Sequence, residues 1–341
     1  MLDINCARVT RVIVTTALIC TPTACGTRTE SKPAATACVQ SNERYCAAVV
    51  GDLLDVTLTD LRPTQPALGY DEVYYRLGRY SLGEGAADQL LDQWCVTNGQ
   101  KGLASANPGA TVDNPASFTC ALAVGSETDE SKVPMKTAVI GPGGQPYLTD
   151  GHHTLTSFWE ASGGGPDTRV RLRITANLKD ATQEAFWSEM QAQGWTWLSD
   201  ADGKPIMPEQ LPASLGLKQF ANDQYRGVLF FVRDIGYSQD DNSPAFQEFY
   251  WGQWLRDQTE PGLRPENFVL TDLTSYQGLI SNAGQAMVAL PDSTVIANGQ
   301  NAKALGKLDS FGQNAFDALS APINSPKPGK LIYAITYKAT L

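Results

Sequence analysis

Between Thr137 and Glu160 the sequence changes period, and that change fixes the path of the chain. Thr137–Ile140 is a short β-branched run, Gly141-Pro142-Gly143-Gly144 is a turn signal, and Pro146–Thr149 resumes an extended apolar pattern. Beyond Gly151 the apolar residues Leu155, Phe158 and Trp159 recur at i, i+3 and i+4, the spacing of a helix face. The chain is therefore expected to pass from strand to turn to strand and straight into a helix. Asp150 stands where a cap residue belongs, and the amides of Gly151 to Thr154 have no carbonyl upstream to bond, which makes an anion site. Both histidines of the chain, His152 and His153, fall on this first turn. Two imidazoles there are expected to exchange protons near neutral pH.

Two other stretches carry chemistry-bearing residues. Leu61-Arg62-Pro63-Thr64-Gln65 is followed by Gly69-Tyr70-Asp71-Glu72-Val73, and Asp223-Gln224-Tyr225-Arg226 is followed by the aromatic run from Phe246 to Trp251. With Asp150-Gly151-His152-His153 between them, these stretches resemble, in order, the motifs of the ParB/sulfiredoxin superfamily, most closely its ParB-like nuclease branch with a D-G-H-H motif. The resemblance spans roughly residues 52–255. It implies an α+β fold: a small mixed sheet with packed helices, followed here by a mainly helical C-terminal extension. It further implies action on a phosphate ester, carried by a small molecule or by nucleic acid.

Roles follow from the same resemblance. Asp150 would orient an imidazole while His152 or His153 serves as general acid or base. Glu72 would activate water or a hydroxyl, as a carboxylate near this place does in kinase-like relatives; its alternative is an i, i+4 surface pair with Arg76. Arg62, Gln65, Gly151, Thr154 and Arg226 would hold phosphate. Thr154 departs from the family, which generally has Arg there; a threonine hydroxyl bonds phosphate without adding charge. His152 occupies the position of the sulfiredoxin cysteine, so sulfinic-acid reduction is not supported. Asp150, His152 and His153 also offer ligands for a divalent metal, although adjacent histidines on a helix point about 100° apart. No Walker loop, His-Glu-x-x-His, dinucleotide-binding glycine fingerprint or Gly-x-Ser-x-Gly elbow occurs. A nucleotide-dependent phosphotransferase and a non-catalytic phosphate-binding module stand as the alternatives.

Charge and cysteine usage bound the setting. The 341-residue chain carries a formal net charge of −10, the opposite of what general binding to duplex nucleic acid requires. Arg8 and Arg11 precede an apolar run from Val12 to Ala24 that is too short to span a bilayer, which reads as an export signal over residues 1–24. Ala24-Cys25-Gly26 resembles a lipoprotein cleavage site with Cys25 as the lipidated residue, although Pro22 stands where such sites usually have Leu. Lipid attachment at Cys25 and an extracytoplasmic location are the expectations, with no transmembrane helix in the mature chain. With Cys6 and Cys20 in the signal and Cys25 as anchor, Cys38, Cys46, Cys95 and Cys120 remain, an even number suited to two disulfides. Of the three connectivities, the local pairs Cys38–Cys46 and Cys95–Cys120 are favoured.

The expected organisation is a tether over residues 25–50, the main domain over 51–236 with an irregular insertion at 81–133, and the extension over 237–341. Within it, 71–80, 87–94, 182–193, 274–287 and 300–319 read as helical, 225–236 as a helix in preference to a buried strand, and a further helix starts at Ser243-Pro244 with Phe246, Phe249, Tyr250 and Trp254 on a face that reads as core in preference to a base-stacking platform. Residues 53–58 and 170–176 read as strands, 195–207 as a hairpin, and Leu331–Tyr337 as a final strand.

Overall fold

The computed structural model describes residues 38–240 and 243–341. The expected export signal, the lipid site at Cys25 and the start of the tether lie outside the described residues.

Alternating valine, leucine and isoleucine build the sheet. Its strands are β1 (Leu53–Thr57), β2 (Thr137–Ile140), β3 (Pro146–Leu148) and β4 (Arg169–Asn177), in the spatial order β1-β4-β2-β3. β1 runs antiparallel to β4 with Val56 opposite Val170, β4 runs parallel to β2 with Thr137 opposite Arg173, and β2 and β3 form an antiparallel hairpin with Ala138 opposite Leu148. The sheet is thus mixed. Because successive side chains alternate faces, Ala138 and Ile140 enter one core with Val56, Val170, Leu172 and Ile174, while Val139 faces the other way onto Phe186 and Met190.

Among the described residues, the helices longer than four residues are α1 (Tyr70–Ser81), α2 (Ala86–Thr97), α3 (His152–Glu160), α4 (Gln183–Ala192), α5 (Gln224–Val232), α6 (Gln247–Arg256), α7 (Leu273–Val288), α8 (Gln313–Ala318) and α9 (Lys330–Lys338). The chain is therefore α+β with a helical C-terminal part. α1 lies between two apolar cores. Its Val73, Leu77 and Tyr80 join the sheet core with Leu155 and Phe158 of α3. On its other side Tyr74 and Tyr75 meet a second core made by Val228–Val232, Trp251, Tyr276, Ile280 and Leu331. The boundary expected at residue 236 falls inside that second core, since α5 precedes it and α6, α7 and α9 follow it. Asp71 fastens the arrangement from α1: its carboxylate takes the Tyr276 hydroxyl at 2.6 Å and the Lys338 ammonium at 2.7 Å.

Both disulfides close the expected local loops, with Cα–Cα separations of 6.3 Å for Cys38–Cys46 and 5.5 Å for Cys95–Cys120. The first folds the end of the expected tether into short helical turns over residues 40–46, which bury Tyr45 to 1% exposure. In the insertion, Cys120 ends a strand (Phe118–Cys120) paired with Leu103–Ala106, and Trp94 and Phe118 meet edge to face at 5.2 Å. The expected irregular segment thus contributes to the sheet core.

Three expectations from the sequence are corrected. Leu331–Tyr337 is helical, within α9. Its β-branched residues favour a strand, but Leu331, Ala334 and Ile335 fall at i, i+3, i+4 and face the second core. Residues 300–319 are not one helix. Asn298 and Gly299 both take positive φ, 49° and 74°, and turn a hairpin that pairs Val295–Ala297 with Gln300–Asn301. Only 313–318 is helical beyond it. At 195–207 the hairpin reduces to a single bridge between Ser199 and Pro205.

Candidate functional site

The β3–α3 junction is built around Gly151, which takes φ +100°. A Cβ there would lie 2.5 Å from Lys136 Cγ, so only glycine fits both the conformation and the space. Asp150 does not cap α3. Its carboxylate is exposed and pairs with Lys136 Nζ at 3.1 Å, and it makes no hydrogen bond to either imidazole. The first turn of α3 therefore stays open along one wall of a cleft of about 330 Å³.

The two histidines are clipped to the segment between β1 and α1. His152 Nε2 accepts the Thr64 amide at 3.0 Å, and His153 Nε2 accepts the Gly69 amide at 3.1 Å. An acceptor nitrogen carries no proton, so each neutral ring holds its proton on Nδ1. Burial pushes His152 down to about 3. His153 also lies well below the usual imidazole value, through burial and the positive field of Arg226 and Arg76, which outweigh Glu72. The expectation of two imidazoles titrating near neutral pH is thus corrected: both are neutral, and both Nε2 lone pairs are engaged.

Glu72 is not a surface residue. It does pair with Arg76, at 2.8 Å, but Glu72 is buried and Arg76 half-buried, and the other Glu72 oxygen lies 3.0 Å from Arg226 Nη2 and 3.7 Å from His153 Nδ1. Burial opposes its ionisation, yet the guanidinium groups of Arg226, Arg76 and Arg233 together hold the carboxyl well below the usual range. The approach of α1 to α5 that makes this possible depends on Gly69, where a Cβ would sit 2.6 Å from the Gly227 nitrogen.

Arg226 is 4% exposed, and Asp223 caps its helix by accepting the Arg226 amide. Its Nη2 is shared by Glu72 and, at 3.4 Å, by Glu248. Its Nε and Nη1 are buried with no acceptor among the described residues, as are Arg76 Nε and Arg233 Nε. Buried donors are normally paired; these four belong to arginines that line one cleft. Arg76, Lys136, Arg226 and Arg233 face Glu72, Asp150 and Glu248 across it. Among the described residues, four cations against three carboxylates leave a local excess of positive charge in an acidic protein.

The cleft brings together Gln65, Glu72, Asp150, Gly151, His152, His153, Thr154 and Arg226. Arg62 is not among them. Its guanidinium donates to the Ala213 carbonyl, and its backbone bonds Pro146 and Leu148 beside β3. Asp150, His152 and His153 do not form a ligand set, and among the described residues no group of three or more His, Cys, Asp or Glu side chains is placed to hold a metal. Arg233, Glu248 and Phe246 also line the cleft and are not expected from the sequence. Arg233 lies seven residues after Arg226, two helical turns on, which is the signal that would have found it.

A family model described as "Putative ParB-like nuclease" matches residues 54–257. The chain belongs to this family. The matched span of this ParB-like nuclease family runs from β1 through α6, and so contains every side chain of the Glu72–Arg226–Glu248 network. Among solved structures, protein Atu1540 from Agrobacterium tumefaciens is similar at 18% identity with a TM-score of 0.44, over 69% of this chain and 91% of that one. No curated protein gives a significant match.

Proposed function

We propose that this family member hydrolyses a phosphodiester, as a nuclease, outside the cytoplasm. The observation that carries the reading is Arg226, whose Nε and Nη1 are buried without an acceptor beside the open first turn of α3. A phosphate there takes a charge-assisted hydrogen bond from the Arg226 guanidinium and further bonds from the amides of Gly151 to Thr154. Its negative charge offsets Arg226 and Arg76, which depress His153, so the bound phosphate raises the basicity of that ring. His153 and Glu72 then form the proton-handling pair. Water attacks phosphorus, its proton passes to this pair, and the departing oxygen takes a proton back as the P–O bond breaks. His152 serves as a neutral acceptor that holds the Thr64 segment.

The test is turnover of single-stranded and duplex DNA, RNA and nucleotides, with and without divalent metal, by the wild type, H153N and R226A. Turnover that falls by about 100-fold or more in both variants, with melting curves retained, supports the reading. A wild type inert toward every substrate overturns it. A second reading, a phosphate-binding module without turnover, is favoured by the engaged Nε2 atoms and by Thr154 in place of Arg. Binding of an oligonucleotide without cleavage would establish it.

Support for the location comes from the two disulfides, which persist in oxidising compartments. Among the described residues no helix is long and apolar enough to cross a membrane, and attachment through a lipid on Cys25 completes the proposal. A mature-chain mass that includes residues 1–24 and no acyl group would refute processing and lipidation.

A further inference from the structure

We propose that a second cavity, sharing Phe246 with the phosphate cleft, holds the base of a single-stranded nucleic-acid substrate; this rests on the phosphodiester reading above. Phe246 lines both cavities and stands in the left-handed conformation, φ 60° and ψ 24°, immediately before α6. A bulky aromatic residue rarely adopts that conformation, and such strain collects at functional sites. On its far side Trp197 packs at 5.8 Å from Phe246, 5.0 Å from Phe249 and 5.5 Å from Tyr250. Phe249 is buried, whereas Trp197, Phe246 and Tyr250 are only half-buried and line the second cavity. The aromatic face, which the sequence reads as core in preference to a base-stacking platform, is therefore divided between core and cavity wall.

The chemistry of this cavity fits a base. Its volume of about 390 Å³ is walled by aromatic side chains and by the amides of Gln191, Gln253 and Asn298, with no charged residue among the described residues that line it. Aromatic rings stack on any base, and side-chain amides pair with base edges. The charged groups lie next door, around Arg226, where a phosphate belongs. One side chain thus separates a neutral aromatic subsite from a cationic one, the order in which a nucleotide presents its base and phosphate. The net charge of −10 repels the dense phosphates of a duplex, and a stacked base must be unpaired from its neighbours.

The experiment compares a short single-stranded oligodeoxynucleotide with an abasic oligomer of equal length, titrated into the full disulfide-bonded chain by fluorescence anisotropy. The base-containing oligomer is expected to bind about tenfold tighter or better. Trp197→Ala or Tyr250→Ala should each reduce that advantage and leave the affinity for the abasic oligomer unchanged. Should Trp197→Ala fail to fold, the wild-type comparison and Tyr250→Ala decide alone. Equal affinities for the two oligomers overturn the base subsite and leave the phosphate cleft standing. An advantage untouched by the variants also overturns it. Failure to bind either oligomer removes the phosphodiester reading as well.

Discussion

Acid should weaken this fold through His152, by an amount that follows from its surroundings. The ring is buried, its Nε2 is bonded to the Thr64 amide, and its folded value is about 3, against 6.5 for an ordinary imidazole. Between those limits the unfolded chain binds a proton that the folded chain refuses. Stability from this residue is therefore complete above about pH 6.5 and is lost as pH falls toward about 3. At about pH 4.5 the loss is two pH steps of about 1.36 kcal/mol each, or roughly 2.7 kcal/mol. H152N keeps a side-chain acceptor for the Thr64 amide but cannot titrate. Urea unfolding of both proteins at about pH 7.5 and about pH 4.5 gives the comparison. The wild type should lose roughly 2.7 kcal/mol more than the variant between the two conditions, whatever the variant costs at neutral pH. Other groups, His153 included, titrate in both proteins and cancel. Equal losses would show that His152 accepts its proton in the folded state, and the account of a sealed, amide-bound ring would be wrong.

Two further outcomes are expected. Glu72→Gln leaves the buried Arg226 and the half-buried Arg76 without their shared carboxylate, with Glu248 still beside Arg226; it should cost about 3 kcal/mol in thermal or urea unfolding, and a cost near zero would place Glu72 in a surface pair. Replacing Cys95 and Cys120 by serine opens a loop with a sequence separation of 25; urea unfolding should register a loss of about 3.5 kcal/mol, and unchanged stability would mean that the bond constrains nothing in the unfolded chain.

The sequence alone carries the β3–α3 junction, because Gly151 and the change of period are local signals. It also carries both disulfide pairings, since short loops close at least entropic cost, and the order of motifs that the family model matches over residues 54–257. Tertiary structure decides the rest. Residues 331–337 have β-branched side chains and become α9 only because α1 and the second core take up their apolar face. Arg62 and Arg226 both stand in family motifs, yet packing sends one guanidinium to a backbone carbonyl and the other into a buried network. The protonation of the two histidines is likewise set from outside their own segment, by the amides of Thr64 and Gly69 and by burial. A side chain's identity is written in its local sequence, but its charge depends on which groups from distant segments exclude water from it.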